Sequence, residues 1–430
     1  MMRKVAPFAV VVVLSGSLAV AGEPGSYPED VAGEAEVSDA ELPTFELEMQ
    51  YRPRFEHSFE NDLRFRPALG STQATHRARF GANVWYQNLR GHLSIQNARR
   101  SGTVDSEPPV ALFEGFIEAR GRDWGLRVGK QMLQFSTGRL LTAPVWLQRG
   151  RSLDAVRFVY DNGELAADVF AARHNERFNR DIFGAELKLR FGQFTAAMPV
   201  LVETNNLVDE MQRQGLVGEM SRVSGGFTAN FRHKRLRANI ETILQVGDYE
   251  GDGAVLGGTT DGGDIMAYLI HADVGYKFDK VIAPVLWFDY LSGDSDHSDD
   301  DHATFDRMLG YGRKLYGRSD RFLFIPQDTQ NGGLIDLAIK NRSRVGPGNL
   351  DIEYHYFLLA QENLSGDEGQ VGTDFNVTYT FPVWEKVAVQ VGSYWFLPLG
   401  DFRDEMVGGQ LVETDGIKDY HYVQLDLQLP

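Results

Sequence analysis

The chain contains no cysteine, so neither a disulfide framework nor a thiolate metal site is available to it. Beyond the N-terminus no apolar run reaches the length that a spanning helix needs. No Pro/Ser-rich linker divides its 430 residues, a length that would otherwise suit two soluble domains. Basic charge is in deficit: 43 Lys and Arg against 60 Asp and Glu leave a net charge of -17, which argues against nucleic acid as a partner. That balance still permits a locally basic surface. Gly257-Gly258 and Gly262-Gly263 lie in a Gly/Asp/Thr stretch without the lysine of a phosphate-cradling loop. The histidines are scattered, and none sits in a recognisable nucleophile-base motif, which a hydrolase would require.

What the chain does have is alternation. Val223, Gly225, Phe227, Ala229 and Phe231 alternate with Ser224, Gly226, Thr228, Asn230 and Arg232, the period of a strand with one apolar face. After His233-Lys234 the pattern resumes, with Leu236, Ala238, Ile240, Thr242 and Leu244 opposite Arg235, Arg237, Asn239, Glu241 and Gln245. A single hairpin of this kind also suits a soluble sandwich. Repeated in series without helices to cover it, the sheet must close on itself, apolar side to lipid and polar side to a lumen. A hydrophobic content of 43% and a mean hydropathy of -0.30 are too polar for a helical membrane protein and ordinary for such a barrel.

Residues 1–21 read as a secretory signal peptide: Arg3 and Lys4, an apolar Val5–Val20, then Ala19-Val20-Ala21 before the cleavage point. Residues 22–44 hold seven acidic and no basic side chains and read as a flexible acidic segment. From 45 to 430 the alternation predicts about 18 strands of an all-β, transmembrane antiparallel β-barrel. The links near 57–73, 101–110, 134–151, 175–182, 204–221, 247–263, 293–332, 362–371 and 398–419 are mostly long. Those between them, such as Asp161-Asn162-Gly163, Gly192 and His233-Lys234, are tight. Long extracellular loops and short periplasmic turns are the outer-membrane arrangement, and a soluble sandwich gives no reason for it. The 293–332 loop is expected to gate the outer mouth.

Arg52, Arg54, Arg77 and Arg79 share the polar face of the first two strands, and Arg120, Arg127, Lys188, Arg190, Arg232, Arg235, Arg237, Lys340 and Arg342 recur on later ones. Clustered guanidinium groups in a narrow pore attract carboxylates and repel small cations. The competing account pairs these charges with lumen acids such as Glu48, Glu118, Glu186, Glu241, Asp289, Asp336 and Glu353, so that they only stiffen the interior. Dense carboxylates at Asp294, Asp296, Asp299 and Asp301 could hold a structural calcium ion. As an EF-hand the stretch fails, with Asp299 at the turn glycine and Phe305 at the bidentate glutamate, and a solvated acidic loop is the equal alternative. No other cofactor is expected.

The run Phe288-Asp289-Tyr290-Leu291-Ser292-Gly293-Asp294 with Thr304-Phe305-Asp306, Tyr316-Gly317 and Asp320 forms one block. Gly129-Lys130-Gln131, Gly138-Arg139-Leu140, Trp146 and Arg151-Ser152-Leu153-Asp154-Ala155-Val156-Arg157 form a second. Together they resemble the alginate export family of outer-membrane proteins. The resemblance implies a monomeric 18-stranded barrel whose arginine-rich constriction passes an acidic polysaccharide outward, fed by a periplasmic biosynthesis complex. It adds Lys130, Arg139 and Arg157 to the pore-lining set and Asp289, Asp294, Asp296 and Asp306 to a loop set. Lys130 stands where the family pattern has Arg, and Pro430 ends the chain where an aromatic residue is usual. The expected function is a passive outer-membrane channel for anionic solutes, without catalysis, set in outer-membrane lipid. A general or small-acid-selective porin is the alternative, and a hydrolase the more distant one.

Overall fold

The computed structural model describes residues 43–58, 71–101, 110–174, 180–205, 219–250, 253–255, 258–260, 262–296, 298–399, 405–407, 410–412 and 417–429. The expected signal peptide and nearly all of the acidic segment lie outside the described residues. The first nine barrel strands are β1 (Thr44–Ser58), β2 (Ser71–Tyr86), β3 (Leu89–Arg100), β4 (Ala111–Arg120), β5 (Trp124–Gln131), β6 (Leu153–Asp161), β7 (Leu165–His174), β8 (Arg180–Phe191) and β9 (Phe194–Asn205). The others are β10 (Glu219–His233), β11 (Leu236–Glu250), β12 (Gly263–Tyr276), β13 (Pro284–Leu291), β14 (Leu334–Val345), β15 (Gly348–Leu358), β16 (Gln370–Trp384), β17 (Val387–Pro398) and β18 (Lys418–Leu429). Each pairs antiparallel with its neighbours in sequence, and β18 pairs with β1 from Met49↔Leu429 to Ser58↔Tyr420. Closure leaves no sheet edge, the condition for strands to stand in hydrocarbon. Two small hairpins, Gly253–Val255 with Gly258–Thr260 and Glu405–Val407 with Gln410–Val412, belong to the connecting loops.

The pleat sorts the side chains as the alternation predicts. On β1, Leu47 and Phe55 are 68% and 63% exposed, while Arg52, Arg54 and Glu56 are buried. Ile117 and Met266 point outward at 66% and 68%, so the apolar face is the one that meets lipid. The tight turns fall at one end, and Gly192 (φ 60°) and Gly163 (φ 91°) occupy left-handed positions there that side chains avoid.

The interior departs from a simple polar lumen. Toward the loop end, inward positions on several strands are apolar: Leu201, Ile243, Ala267, Leu269, Leu291, Leu334 and Phe357 are all nearly inaccessible. Two loops fold inward to cover them. The loop between β5 and β6 brings Phe135 and Leu141, and the loop between β13 and β14 brings Phe305, Leu309, Phe322 and Ile325, into one shared core with that wall. The second loop contains two single-turn helices, α1 (Gly312–Leu315) and α2 (Ile325–Asp328). An isolated bridge joins the loops at Leu141↔Leu309, and another ties the second loop to the wall at Ile265↔His302. The loop expected to gate the outer mouth therefore lies inside the barrel, where its apolar side chains are buried against the apolar part of the wall.

Candidate functional site

Below the infolded loops, toward the tight turns, the barrel encloses a cavity of about 880 Å³. Its wall comes from β10 to β15 and its roof from loop residues Thr137, Arg139, Trp146, Tyr311, Arg313, Leu315 and Arg318. Thirteen basic side chains line it against four acidic ones, Glu241, Asp273, Asp351 and Glu353, in a chain that is strongly acidic overall. Arg232, Lys234, Arg235, Arg237, Lys277, Lys280, Arg342 and Arg344 come from the wall and its turns, and Arg139, Arg313, Lys314 and Arg318 from the roof. Lys340 completes the set, its ammonium 3.7 Å from the centre of the Trp287 ring. A low-dielectric wall around one sign of charge focuses the field into the lumen and raises the local concentration of counter-ions.

Of the basic residues singled out by sequence, Arg139, Arg232, Arg235, Arg237, Lys340 and Arg342 line this cavity. Arg52, Arg54 and Arg77 do other work. Arg52 donates to the carbonyl oxygens of Val145, Trp146 and Leu147 at 2.7–3.1 Å, Arg54 to that of Trp146 at 2.6 Å, and Arg77 to that of Leu147 at 3.2 Å. Three guanidinium groups thus hold the first infolded loop by its backbone. Trp146 is clamped between Arg54 and Arg313, whose Cζ atoms lie 3.6 and 4.1 Å from its ring centre. Arg79 donates to Gln96 and stacks on Phe113. Arg120 and Arg127 both reach Glu118, Arg157 grips Asp168 and Arg190 grips Asp161. Lys130 stands on β5 opposite Asp154. The competing account, in which lumen charges pair and stiffen the wall, describes these strands; the open basic surface is on the far side.

The two sequence blocks meet above the cavity. Arg139 donates from Nε to Glu241 at 2.8 Å, from Nη2 to Asp289 at 2.8 Å and from Nη1 to the Tyr316 hydroxyl at 3.1 Å. Asp289 also accepts from Trp287 Nε1 at 2.7 Å and lies 2.8 Å from His271 Nδ1. Asp320 pairs with Arg313 inside the second loop. Asp306 accepts from Arg222 at 2.9 Å, and Arg222 also holds Glu203 at 2.7 Å. Residues that bear the resemblance are thus the fastenings of the two loops. In the acidic stretch, Asp294, Asp296, Asp299 and Asp301 accept backbone amides of Asp296, Ser298, Asp301 and Asp264 in turn. Among the described residues no three acidic or histidine side chains converge as metal ligands do.

His302, on the second loop, is buried, and burial pushes its imidazole down to about 4, with Arg222 adding to the effect and Asp306 opposing it. A histidine held neutral in the fold gains protons on unfolding, so its contribution is intact above pH 6.5 and is lost as the pH falls toward about 4. That is on the order of 3 kcal/mol across the window. Protease nicking of the 292–333 loop should rise over this range in the native protein and rise less in His302→Gln; equal rises in both would show that His302 is not the group responsible.

The family model described as alginate export matches residues 44–324 of the chain. The chain belongs to the alginate export family. No curated protein matches this family member, but solved barrels do. OccAB1 of Acinetobacter baumannii superposes with a TM-score of 0.62 at 8% identity, over 93% of this chain and 99% of that one. A BenF-like porin from Pseudomonas fluorescens Pf-5 gives 0.60 at 9% identity, over 90% and 98%. OccK11 (OpdR) of Pseudomonas aeruginosa gives 0.57 at 11%, over 89% and 95%. Family and fold together make the alginate export chain an outer-membrane β-barrel channel. Sequence reasoning missed its Arg313, Lys314, Arg318, Lys277, Lys280 and Arg344. The signal available was the recurrence of basic residues at three successive tight turns, Lys234-Arg235, Lys277 to Lys280 and Arg342 to Arg344.

Proposed function

We propose that the channel conducts anionic solutes, and that its cargo is an acidic polysaccharide of the alginate type moving outward through the basic cavity. The excess of thirteen basic over four acidic lining residues carries this reading. Guanidinium groups replace part of a carboxylate's water with paired hydrogen bonds, and many such sites in series let a polyanion bind and move on. A polymer enters from the turn end, where the cavity opens, and a periplasmic synthesis complex feeds it there. A second reading, a pore for small carboxylates, has one observation in its favour: a barrel of the same fold, OpdK of Pseudomonas aeruginosa, was solved with vanillate, at 9% identity and a TM-score of 0.58.

Bilayer recordings in a KCl gradient, followed by addition of polyuronate or of vanillate to one side, test both. The expected result is a reversal potential of anion-selective sign and block by polyuronate at lower concentration than by vanillate. Arg235→Ala with Arg237→Ala should lower the Cl⁻/K⁺ permeability ratio by roughly sevenfold per charge removed, about threefold from each ion. Cation selectivity of the wild type ends the anion-channel reading. Block by vanillate alone transfers it to the small-carboxylate pore.

A further inference from the structure

The wall above the cavity carries a row of acid that the basic lining conceals. Strand register sets Glu241, His271, Asp289 and Asp336 directly across from one another on β11, β12, β13 and β14. All four side chains are buried on the inner face. Glu353 on β15 lies nearer the turn end, opposite Lys340. A bare barrel with this wall would present carboxylates to any passing solute. The wall answers part of that charge itself: His355 sits 2.9 Å from Asp336, and His271 sits between Asp289 and Asp273.

The rest is answered from the loops. Arg139, on the first infolded loop, spans Glu241 and Asp289. Arg318, on the second, grips Glu353 through Nε and Nη2 at 2.9 and 2.7 Å. We infer that Arg139 and Arg318 are specificity-determining residues that act through the wall, setting anion selectivity by cancelling carboxylates the barrel itself contributes. The inference rests on the anion-conducting reading above. Arg318 is the sharper case, because its side chain and that of Glu353 are 18% and 11% exposed at the cavity, against 2% and 4% for Arg139 and Glu241; removing the guanidinium leaves the Glu353 carboxylate facing the lumen with only Lys340 opposite it and His355 at 3.9 Å to offset its charge. The Arg139 pairing lies deeper and is less accessible to solute.

Reversal potentials of Arg318→Gln, Glu353→Gln and the double variant Arg318→Gln/Glu353→Gln test it. A unit charge about 7 Å from a passing ion in water is worth roughly threefold for each ion, in opposite directions for Cl⁻ and K⁺, and so roughly a sevenfold change in their permeability ratio. Arg318→Gln should lower the Cl⁻/K⁺ ratio by about that factor, Glu353→Gln should raise it by a similar one, and the double variant should return it to the wild-type value. Rescue by the second neutral substitution is the readout that a merely structural role would not give. If the single and double variants share one altered ratio, or if Glu353→Gln leaves the ratio unchanged, the inference is overturned. Should Arg318→Gln fail to refold, Glu353→Gln and the double variant decide the matter. A wild type without anion selectivity overturns the functional reading instead, and is recognised before any variant is measured.

Discussion

Arg139→Ala should be the most damaging single substitution in the channel's interior. It leaves Glu241 and Asp289 buried with one guanidinium fewer between them, and it frees the Tyr316 hydroxyl. Breaking a buried pair from one side costs about 3–5 kcal/mol, because the remaining charge has no water to turn to. Asp289 keeps His271 and Trp287 as partners, whereas Glu241 keeps only the Thr137 hydroxyl at 2.6 Å among its hydrogen bonds from the loop. Arg139→Lys retains the charge without the planar fork and cannot meet three acceptors at once, so it should recover only part of the loss. Arg190→Ala is the control: its partner Asp161 sits at the tight-turn rim, and such half-exposed pairs are worth about 0–1 kcal/mol. Denaturant midpoints of the refolded protein in detergent measure all three. Equal midpoints for Arg139→Ala and Arg190→Ala would mean that the Arg139 cluster does not hold the loops.

The barrel was legible in the sequence, strand by strand, because a lipid-facing wall demands an apolar residue at every second position and permits few exceptions. Leu47, Tyr51 and Phe55 on β1, or Met266, Tyr268 and Ile270 on β12, are exposed for that one reason. The infolded loops were not legible. Phe305, Leu309, Phe322 and Ile325 follow no period, since an irregular chain can turn any of them inward. A trace of them does exist in the wall: Ile265-Met266-Ala267-Tyr268-Leu269-Ile270 does not alternate in polarity, which is what a strand buried on both faces shows. The alternation displays only its lipid side and leaves the other unexplained.

Charge was misleading for a different reason. Arg52, Arg54 and Arg77 stand close together in sequence and look like a selectivity filter, yet they are spent on the backbone carbonyls of residues 145–147. The basic surface that faces open space is spread over three strands, two tight turns and two loops, and becomes a cluster only when the barrel closes. Clustering on adjacent strands does not by itself show that a guanidinium faces open space, because a loop some 70 to 95 positions away can fold back and take it.

Gly310→Val should open that lumen while making it less selective. A Cβ at Gly310 would sit 1.8 Å from the Arg139 carbonyl oxygen, a backbone atom that no rotamer change can move aside. The bridge at Leu141↔Leu309 and the hydrogen bond from Thr142 N to the Leu309 carbonyl at 3.2 Å run beside it. Inserting a branched side chain there must push the two loops apart, at a cost of about 1–3 kcal/mol typical of overpacking. The barrel itself, held by eighteen paired strands, should remain folded. Separation widens the path, so single-channel conductance should rise. It also draws Arg139 from Glu241 and Asp289, uncovering part of the acidic row, so the Cl⁻/K⁺ ratio should fall as conductance increases. Simple widening of a basic pore would weaken selectivity without introducing any negative charge. Restoring the ratio in Gly310→Val by adding Glu241→Gln, with conductance still raised, would trace the loss to the uncovered carboxylate; a ratio unmoved by Glu241→Gln would assign it to pore width alone.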